Sequence, residues 1–163
     1  MQPRCHPHGI FKTYSPRTAE ICRKILREEW RGVLAVHGED GYPYALPIDF
    51  YYDEEKNKIY FHCAKEGHKL DAIRADSRVS FCVYDKGFRK DGDWALNITS
   101  VIIFGRIRII DDPEETLVTV RKFGEKFFPT QKELDDEILR SLARVQMLEL
   151  TTDHMTGKIL NEK

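Results

Sequence analysis

The chain has 163 residues and a formal net charge of −1, because 26 Lys and Arg nearly balance 27 Asp and Glu. A length of this order is typical of one domain with a continuous core, and the apolar content of 41% excludes general disorder. The balanced charge argues against nucleic-acid binding, and the absence of a long apolar run or a signal-peptide core predicts a cytoplasmic protein without a membrane span.

We expect one domain over residues 1–163, with residues 1–14 forming an irregular arm because two prolines there oppose regular structure. The run Cys5-His6-Pro7-His8 in this arm carries side chains that can bind metals. A closed metal site needs about four convergent ligands, so no metal site is predicted. The four cysteines contain no CxxC pair and are expected to be free thiols.

Helical periodicity marks three long segments. Ser15-Pro16 is typical of a helix start, and the first predicted apolar stripe consists of Ile21, Cys22, Ile25, Leu26 and Trp30. A second helix is predicted after Asp112-Pro113, and its buried stripe consists of Leu117, Val120, Gly124 and Phe127. A third stretch carries Leu134, Ile138 and Leu142.

Between these helices the sequence is rich in β-branched and aromatic residues broken by turn residues. Strands are predicted at 33–37, 42–52, 59–63, 79–83, 95–110 and 145–150, with one short helix over 66–76. There is no alternating strand-helix repeat, which argues against a doubly wound parallel sheet. The predicted fold class is therefore mainly β, an antiparallel barrel with peripheral helices.

The junction from the third strand into the short helix is the first candidate site. Helix N-termini present unpaired N–H groups and a positive dipole end, which suit an anion. Lys69 adds a positive charge within the first turn, and a bound phosphate would relieve its conflict with the dipole. The alternative is that Lys65, His68 and Lys69 are solvated residues of a helix start, and that His62 is a structural histidine.

The second candidate segment carries Pro43 and Pro47 within one predicted strand. Because proline cannot donate to a strand ladder, the two residues indicate an edge, a bulge or backbone that faces something other than a strand. Backbone groups freed in this way could bind a flat heterocycle. A protected edge strand is the alternative.

Six segments in order and spacing resemble the pyridoxamine 5'-phosphate oxidase-like flavoproteins, and among them the nitroimidazole-resistance branch. They are Gly32–Ala35, Asp40–Pro43, Leu46–Phe50, Ile59–Ala64, Glu66–Asp71 and Ser100–Arg106. Thr156-Gly157-Lys158, expected after the last strand, is also similar to that branch. The resemblance covers the chain from about Trp30 to its C-terminus.

This resemblance implies an FMN-binding split barrel that forms a homodimer with FMN at the interface. It implies that Leu46, Pro47, Ile48 and Asp49 line the isoalloxazine edge and that His62, Ala64 and Lys69 hold the phosphate end. It also implies that Ser100 and Val101 reach FMN, across the dimer, with Trp94 over the ring. No catalytic residue is assigned.

The resemblance further implies an FMN-dependent oxidoreductase that uses NAD(P)H to reduce a small acceptor, such as a nitroaromatic or quinone-like compound. Residues 151–163 lack the arginine with which true pyridoxamine phosphate oxidases close their substrate site, which disfavours vitamin B6 as substrate. The alternative is a module that binds flavin or haem without catalysis. The acceptor, the nicotinamide, the role of the charged loop 86–93 and any redox role of Cys63 are left open.

Overall fold

The structure, a computed structural model, describes residues 11–12 and 16–161. Within these residues the α-helices are Pro16–Glu28 (α1), His68–Ala75 (α2), Pro113–Glu125 (α3) and Gln131–Ser141 (α4). The strands are Phe11–Lys12 (β1), Arg31–His37 (β2), Pro43–Asp53 (β3), Lys58–Ala64 (β4), Arg78–Tyr84 (β5), Asn97–Ile110 (β6) and Val145–Asn161 (β7). Short 3₁₀ turns cover Glu39–Gly41 and Leu142–Arg144.

The predicted N-terminal arm is only partly covered by the described residues. The Cys5-His6-Pro7-His8 run and Ser15 lie outside them. The expectation of an irregular arm was wrong at Phe11 and Lys12, which pair with Gly157 and Thr156 of β7.

Six antiparallel strands close into a barrel, in the order β7, β4, β3, β2, β5, β6 and back to β7. This confirms the predicted antiparallel barrel. The long last strand closes the barrel because it pairs with β4 over residues 145–151 and with β6 along the full length of β6. The predicted end of this strand at Leu150 was wrong, and Thr156-Gly157-Lys158 lies inside β7.

Strand alternation fills the interior. On β3 the side chains of Ile48, Phe50 and Tyr52 point into the core, and on β4 those of Ile59 and Phe61 do so. Phe81 of β5 lies at the centre, with edge-to-face contacts to Phe50 and Phe61 at centroid distances of 5.1 and 4.9 Å. One face of each strand therefore builds the core and the other faces outward.

Helices cover part of the outside of this barrel. Helix α1 buries Cys22, Ile25 and Leu26, as its periodicity predicts, but Trp30 lies beyond its end and is 56% exposed. Trp30 follows the helix, so it does not continue the α1 stripe.

Helices α3 and α4 form a hairpin over the outer face of β4 and β7. Gly124 allows their close approach, since a Cβ there would meet Leu134 Cδ1 at 2.2 Å. The predicted α3 stripe was wrong at Leu117, which is 40% exposed, while Phe123 is buried instead. No helix among the described residues is long and apolar enough to cross a membrane.

Candidate functional site

The barrel is split between β3 and β4. Their pairing runs from Asp53 with Lys58 to Phe50 with Phe61 and then stops, while β3 continues beside β2 as far as Pro43. On the far side of the opening, β4 continues to Ala64 beside β7. The two strand edges therefore diverge along 43–49 and 62–64.

The prolines explain why the pairing stops there. Phe50 donates its N–H to the carbonyl oxygen of Trp30, the residue before β2, so the even-numbered residues of β3 direct their backbone groups to β2. Pro43 and Pro47 are therefore turned the other way, with their nitrogens towards the split, where a strand would need N–H donors. By the same alternation, backbone groups of Ala45 on β3 and of Ala64 on β4 point into the split from its two sides. Unpaired backbone of this kind can bind a flat heterocycle.

The N-terminus of α2 lies at one end of the split. His68 at its start contacts the ring of Tyr44 on β3, with centroids 4.8 Å apart. No side chain caps this helix, whereas Asp112 and Thr130 cap α3 and α4. Gly67, at φ 130°, precedes the helix in a conformation that side chains rarely adopt, and its carbonyl accepts the N–H of Leu70.

Lys69 brings a positive charge to this uncapped terminus. It is half-buried, and it makes no ion pair with another described residue. Its charge acts on the end of β4: it adds to the desolvation that lowers the pKa of His62 and partly offsets the desolvation that raises the pKa of Cys63. An unpaired lysine beside free helix N–H groups is suited to a phosphate.

The pKa values at the end of β4 depend mainly on desolvation. Desolvation lowers the pKa of His62, Lys69 adds to this effect and Asp49 opposes it, so the imidazole is neutral at pH 7. Desolvation raises the pKa of Cys63, which keeps it a thiol. Neither side chain is a charged group at the split.

Asp49 is held in place by a residue that the sequence did not point to. Arg31 of β2, its cross-strand neighbour, donates Nε to Oδ1 at 2.6 Å and Nη2 to Oδ2 at 3.2 Å. Such a bidentate pair fixes the carboxylate at the outer face of the split. The pairing depends on strand register, which no motif in the sequence specifies.

Lys126, also missed from the sequence, lies against the backbone just before β2 and against Phe50 of β3, next to the split. Its Nζ donates to the carbonyl oxygens of Glu29 and Phe50 and lies 4.3 Å from the centre of the Phe50 ring. Desolvation lowers the pKa of Lys126 to about 8, against the opposing charges of Glu29 and Asp49. The sequence did not mark Lys126 as a site residue, because it lies just beyond the end of α3 and belongs to no motif.

The structure brings seven of the predicted site residues to one region and places three elsewhere. The first group is Leu46, Pro47, Ile48, Asp49, His62, Ala64 and Lys69. Within it, Ile48 has its side chain in the core and its backbone paired with Gly32 of β2, so it offers no free group to the split. Trp94, Ser100 and Val101 lie on β6 and the loop before it, and β6 is three strands from β3 in the barrel order.

These three residues differ in how far their side chains are exposed. Trp94 is 71% exposed, Ser100 is half-buried, and Val101 is fully buried in the core. The charged loop before Trp94 folds back onto β6, because Asp85 accepts the N–H of Gly87 and of Thr99, each at 3.0 Å. Within one chain, β6 and the split are on different sides of the barrel.

An antiparallel six-stranded barrel that opens between two neighbouring strands is a split barrel. A sequence profile described as pyridoxamine 5'-phosphate oxidase matches residues 18–159. The chain therefore belongs to the pyridoxamine 5'-phosphate oxidase family, as its sequence predicts.

Solved structures share the fold at low sequence identity. A candidate 5-nitroimidazole antibiotic resistance protein from Bacteroides thetaiotaomicron has a TM-score of 0.74 at 18% identity, over 98% of this chain and 97% of that one. A FAD-binding protein from Mesorhizobium loti has a TM-score of 0.62 at 22% identity, over 87% and 94%. A FAD- and haem-binding protein from Mycobacterium smegmatis has a TM-score of 0.67 at 19% identity, over 93% and 74%. No curated protein matches the sequence.

Proposed function

We propose that this protein is an FMN-dependent oxidoreductase that uses NAD(P)H to reduce a small acceptor such as a nitroaromatic or quinone-like compound. One observation carries the proposal: unpaired strand edges and an uncapped helix N-terminus with an unpaired lysine lie at the same opening of the barrel. The first suits a flat heterocycle and the second suits a phosphate. FMN contains both.

The residues of the split fit such a ligand. The helix N–H groups and Lys69 would hold the phosphate. The backbone groups of the odd-numbered residues in 45–49 and of Ala64 would meet the polar edge of the ring system. The Asp49 carboxylate is already occupied by Arg31, so it adds no free negative charge beside the ring. The neutral imidazole of His62 likewise leaves the site without a competing cation.

Bound FMN would supply two-electron chemistry, taking up hydride from NAD(P)H and passing the electrons to the acceptor. The chain's own residues then bind and orient, and no acid or base is obligatory. Residues 151–161 are paired along β6 and form no separate flap over the split, which supports an acceptor other than vitamin B6.

A homodimer would complete the site. On β6, Ile102 and Phe104 expose apolar side chains on the outer face, next to Ser100. Large exposed apolar side chains grouped on one strand are typical of interaction surfaces. We place this face, together with Trp94, against the split of a second copy, where Ser100 would reach the bound flavin. Val101 is buried and paired with Val83 of β5, so it would only support the strand that carries Ser100.

Replacing Lys69 tests the phosphate end of the site. Lys69→Ala should weaken FMN binding by about 1.5–3 kcal/mol, the value of a hydrogen bond to a charged group. The measurement is a fluorescence titration of FMN. Lys132→Ala is the matched control, because Lys132 is also the second residue of its helix but lies in α4, whose N-terminus Thr130 caps. Equal affinities of the two variants would place the phosphate elsewhere.

A visible spectrum tests the cofactor, and anaerobic NADH or NADPH tests the catalysis. The purified protein should show the absorption band of oxidised flavin, or gain it when FMN is added, and the band should bleach with a reduced nicotinamide. Colourless protein that binds no FMN contradicts the proposal. A bound flavin that neither nucleotide reduces would favour the alternative binding module.

A further inference from the structure

Next to the split, the α3–α4 hairpin forms an open cavity of about 370 Å³ with the outer face of β4 and β7. Protein interiors contain few voids larger than a water molecule, and ligand pockets begin at about 300 Å³. The cavity shares Asp49 and His62 with the wall of the split. A molecule inside it would therefore lie beside whatever the split binds.

The walls of this cavity are mainly aromatic and aliphatic. Phe123 and Phe127 stack with their ring centroids 4.8 Å apart and an interplanar angle of 14°. His62 packs edge-to-face on Phe123 at 4.9 Å, and its lowered pKa keeps it neutral. Val145 and Met147 of β7 form the opposite wall. Such walls favour a flat ring through stacking and burial.

The charges of the lining select against an anion. Its ionised groups are the carboxylates of Asp49 and Glu137, which are bound by Arg31 at 2.6 Å and Arg140 at 2.8 Å. Among the described residues that line the cavity there is no lysine or arginine. The nearby Lys126 directs its ammonium to two backbone carbonyls. A buried phosphate or carboxylate would have no cation to compensate its desolvation.

We propose that this cavity binds the electron acceptor, and that the acceptor is an uncharged aromatic compound of one or two rings. This inference rests on the proposed function, because it names the substrate class of the same site. It separates the two ends of that site by charge: the phosphate-bearing ligand binds at α2 and the split, and the neutral ring binds under α3 and α4.

Two probes of equal shape and different charge test the selectivity. 4-Nitrobenzyl alcohol and 4-nitrobenzoate share the ring and the nitro group. Titrated calorimetrically into the protein as purified and after saturation with FMN, the alcohol should bind at least about tenfold more tightly than the benzoate. Equal binding, or a preference for the benzoate, would overturn the proposal.

Filling the cavity tests its location. Val145→Phe from β7 and Val120→Phe from α3 each add a ring to the cavity from a different wall, and each should weaken alcohol binding about tenfold. Val118→Phe is the matched control and should retain binding, because Val118 lies on the exposed face of α3 outside the cavity lining. Thermal melts select the filled variant that folds, and undiminished alcohol binding by that variant rules out this cavity.

The FMN affinity is measured separately on the same variants and should not change. Absence of FMN binding in all variants, including the original protein, would remove the proposed function, while the alcohol titration would still report on the cavity. The two failures are therefore distinguishable.

Discussion

Glu149 is a buried carboxylate outside the candidate site, and three neighbours stabilise its charge. It is 3% exposed and accepts hydrogen bonds from Lys58 at 2.7 Å, Tyr60 at 3.0 Å and Arg108 at 2.8 Å. Burial raises its pKa, but these donors outweigh burial and lower the pKa to about 2. The network joins β4, β6 and β7 where the barrel closes.

The lowered pKa of Glu149 predicts an acid-sensitive fold. A carboxyl whose folded pKa is below its unfolded value of 4.5 stabilises the fold above pH 4.5, and this stabilisation is lost as the pH falls towards 2. Chemical denaturation from pH 7 to pH 2.5 should show this loss. Glu149→Gln should cost on the order of 3 kcal/mol at pH 7, because Lys58 loses its anion and Arg108 keeps only Glu115, and should flatten the acid limb.

The exposed Glu55 provides the control for that titration, since Glu55→Gln should leave both the stability at pH 7 and the acid limb unchanged. An acid limb in Glu149→Gln as steep as in the original protein would assign the effect to other carboxylates.

At the scale of elements, the contact between β6 and β7 depends on one glycine. The register of the two strands shifts between Phe104 and Gly105, and a Cβ on Gly105 would meet the carbonyl oxygen of Thr151 at 2.1 Å. Such an irregularity bends a strand and allows β7 to follow β6 around the closed barrel. A side chain cannot be accommodated without moving the backbone of β7.

Gly105→Ala should therefore destabilise the protein by about 2–4 kcal/mol, measured as the free energy of unfolding in urea. Arg106→Ala, at the next residue, is the control and should cost less than about 0.5 kcal/mol, since Arg106 is exposed and its ion pair with Asp153 is long, at 3.9 Å. A small effect of Gly105→Ala would mean that β7 relaxes at the bulge.

At the scale of the whole molecule, the predicted flavin site is divided. The split carries the phosphate end and one edge of the ring site, while Trp94, Ser100 and Val101 lie on or just before β6, three strands from β3 and two from β4. One chain cannot bring both groups to the same ligand. A dimer in which the β6 face of one copy meets the split of the other would bring both groups of residues to one ligand. A two-fold interface forms each contact twice, so it would complete two such sites.

This arrangement predicts that dimerisation and FMN affinity fail together. Ile102→Glu would bury a charge in the proposed interface, and it should give monomers in light scattering and weaken FMN binding at least about tenfold. Lys56→Glu changes charge in the turn between β3 and β4 and should leave both properties intact. A dimeric Ile102→Glu protein would place the interface on another face.

Local patterns in the sequence determined most of the elements. Alternation predicted the strands, and helical spacing with caps predicted α1, α3 and α4, because side-chain burial on one face is a local property of a regular element. Pro43, Pro47 and Lys69 marked the split and the helix start, since a missing N–H and an uncompensated charge are visible in the sequence itself. Family resemblance added the cofactor and its residues as predictions.

Only the tertiary structure decided what depends on register and on contacts between distant segments. It extended β7 to Asn161, paired Arg31 with Asp49, moved Trp30 and Leu117 out of the buried stripes and placed Lys126 against Phe50. It also formed the cavity under α3 and α4, whose lining combines Asp49 and His62 with residues between 120 and 147. Such features arise from closure of the barrel and packing of helices on it, and neither is encoded in any one segment.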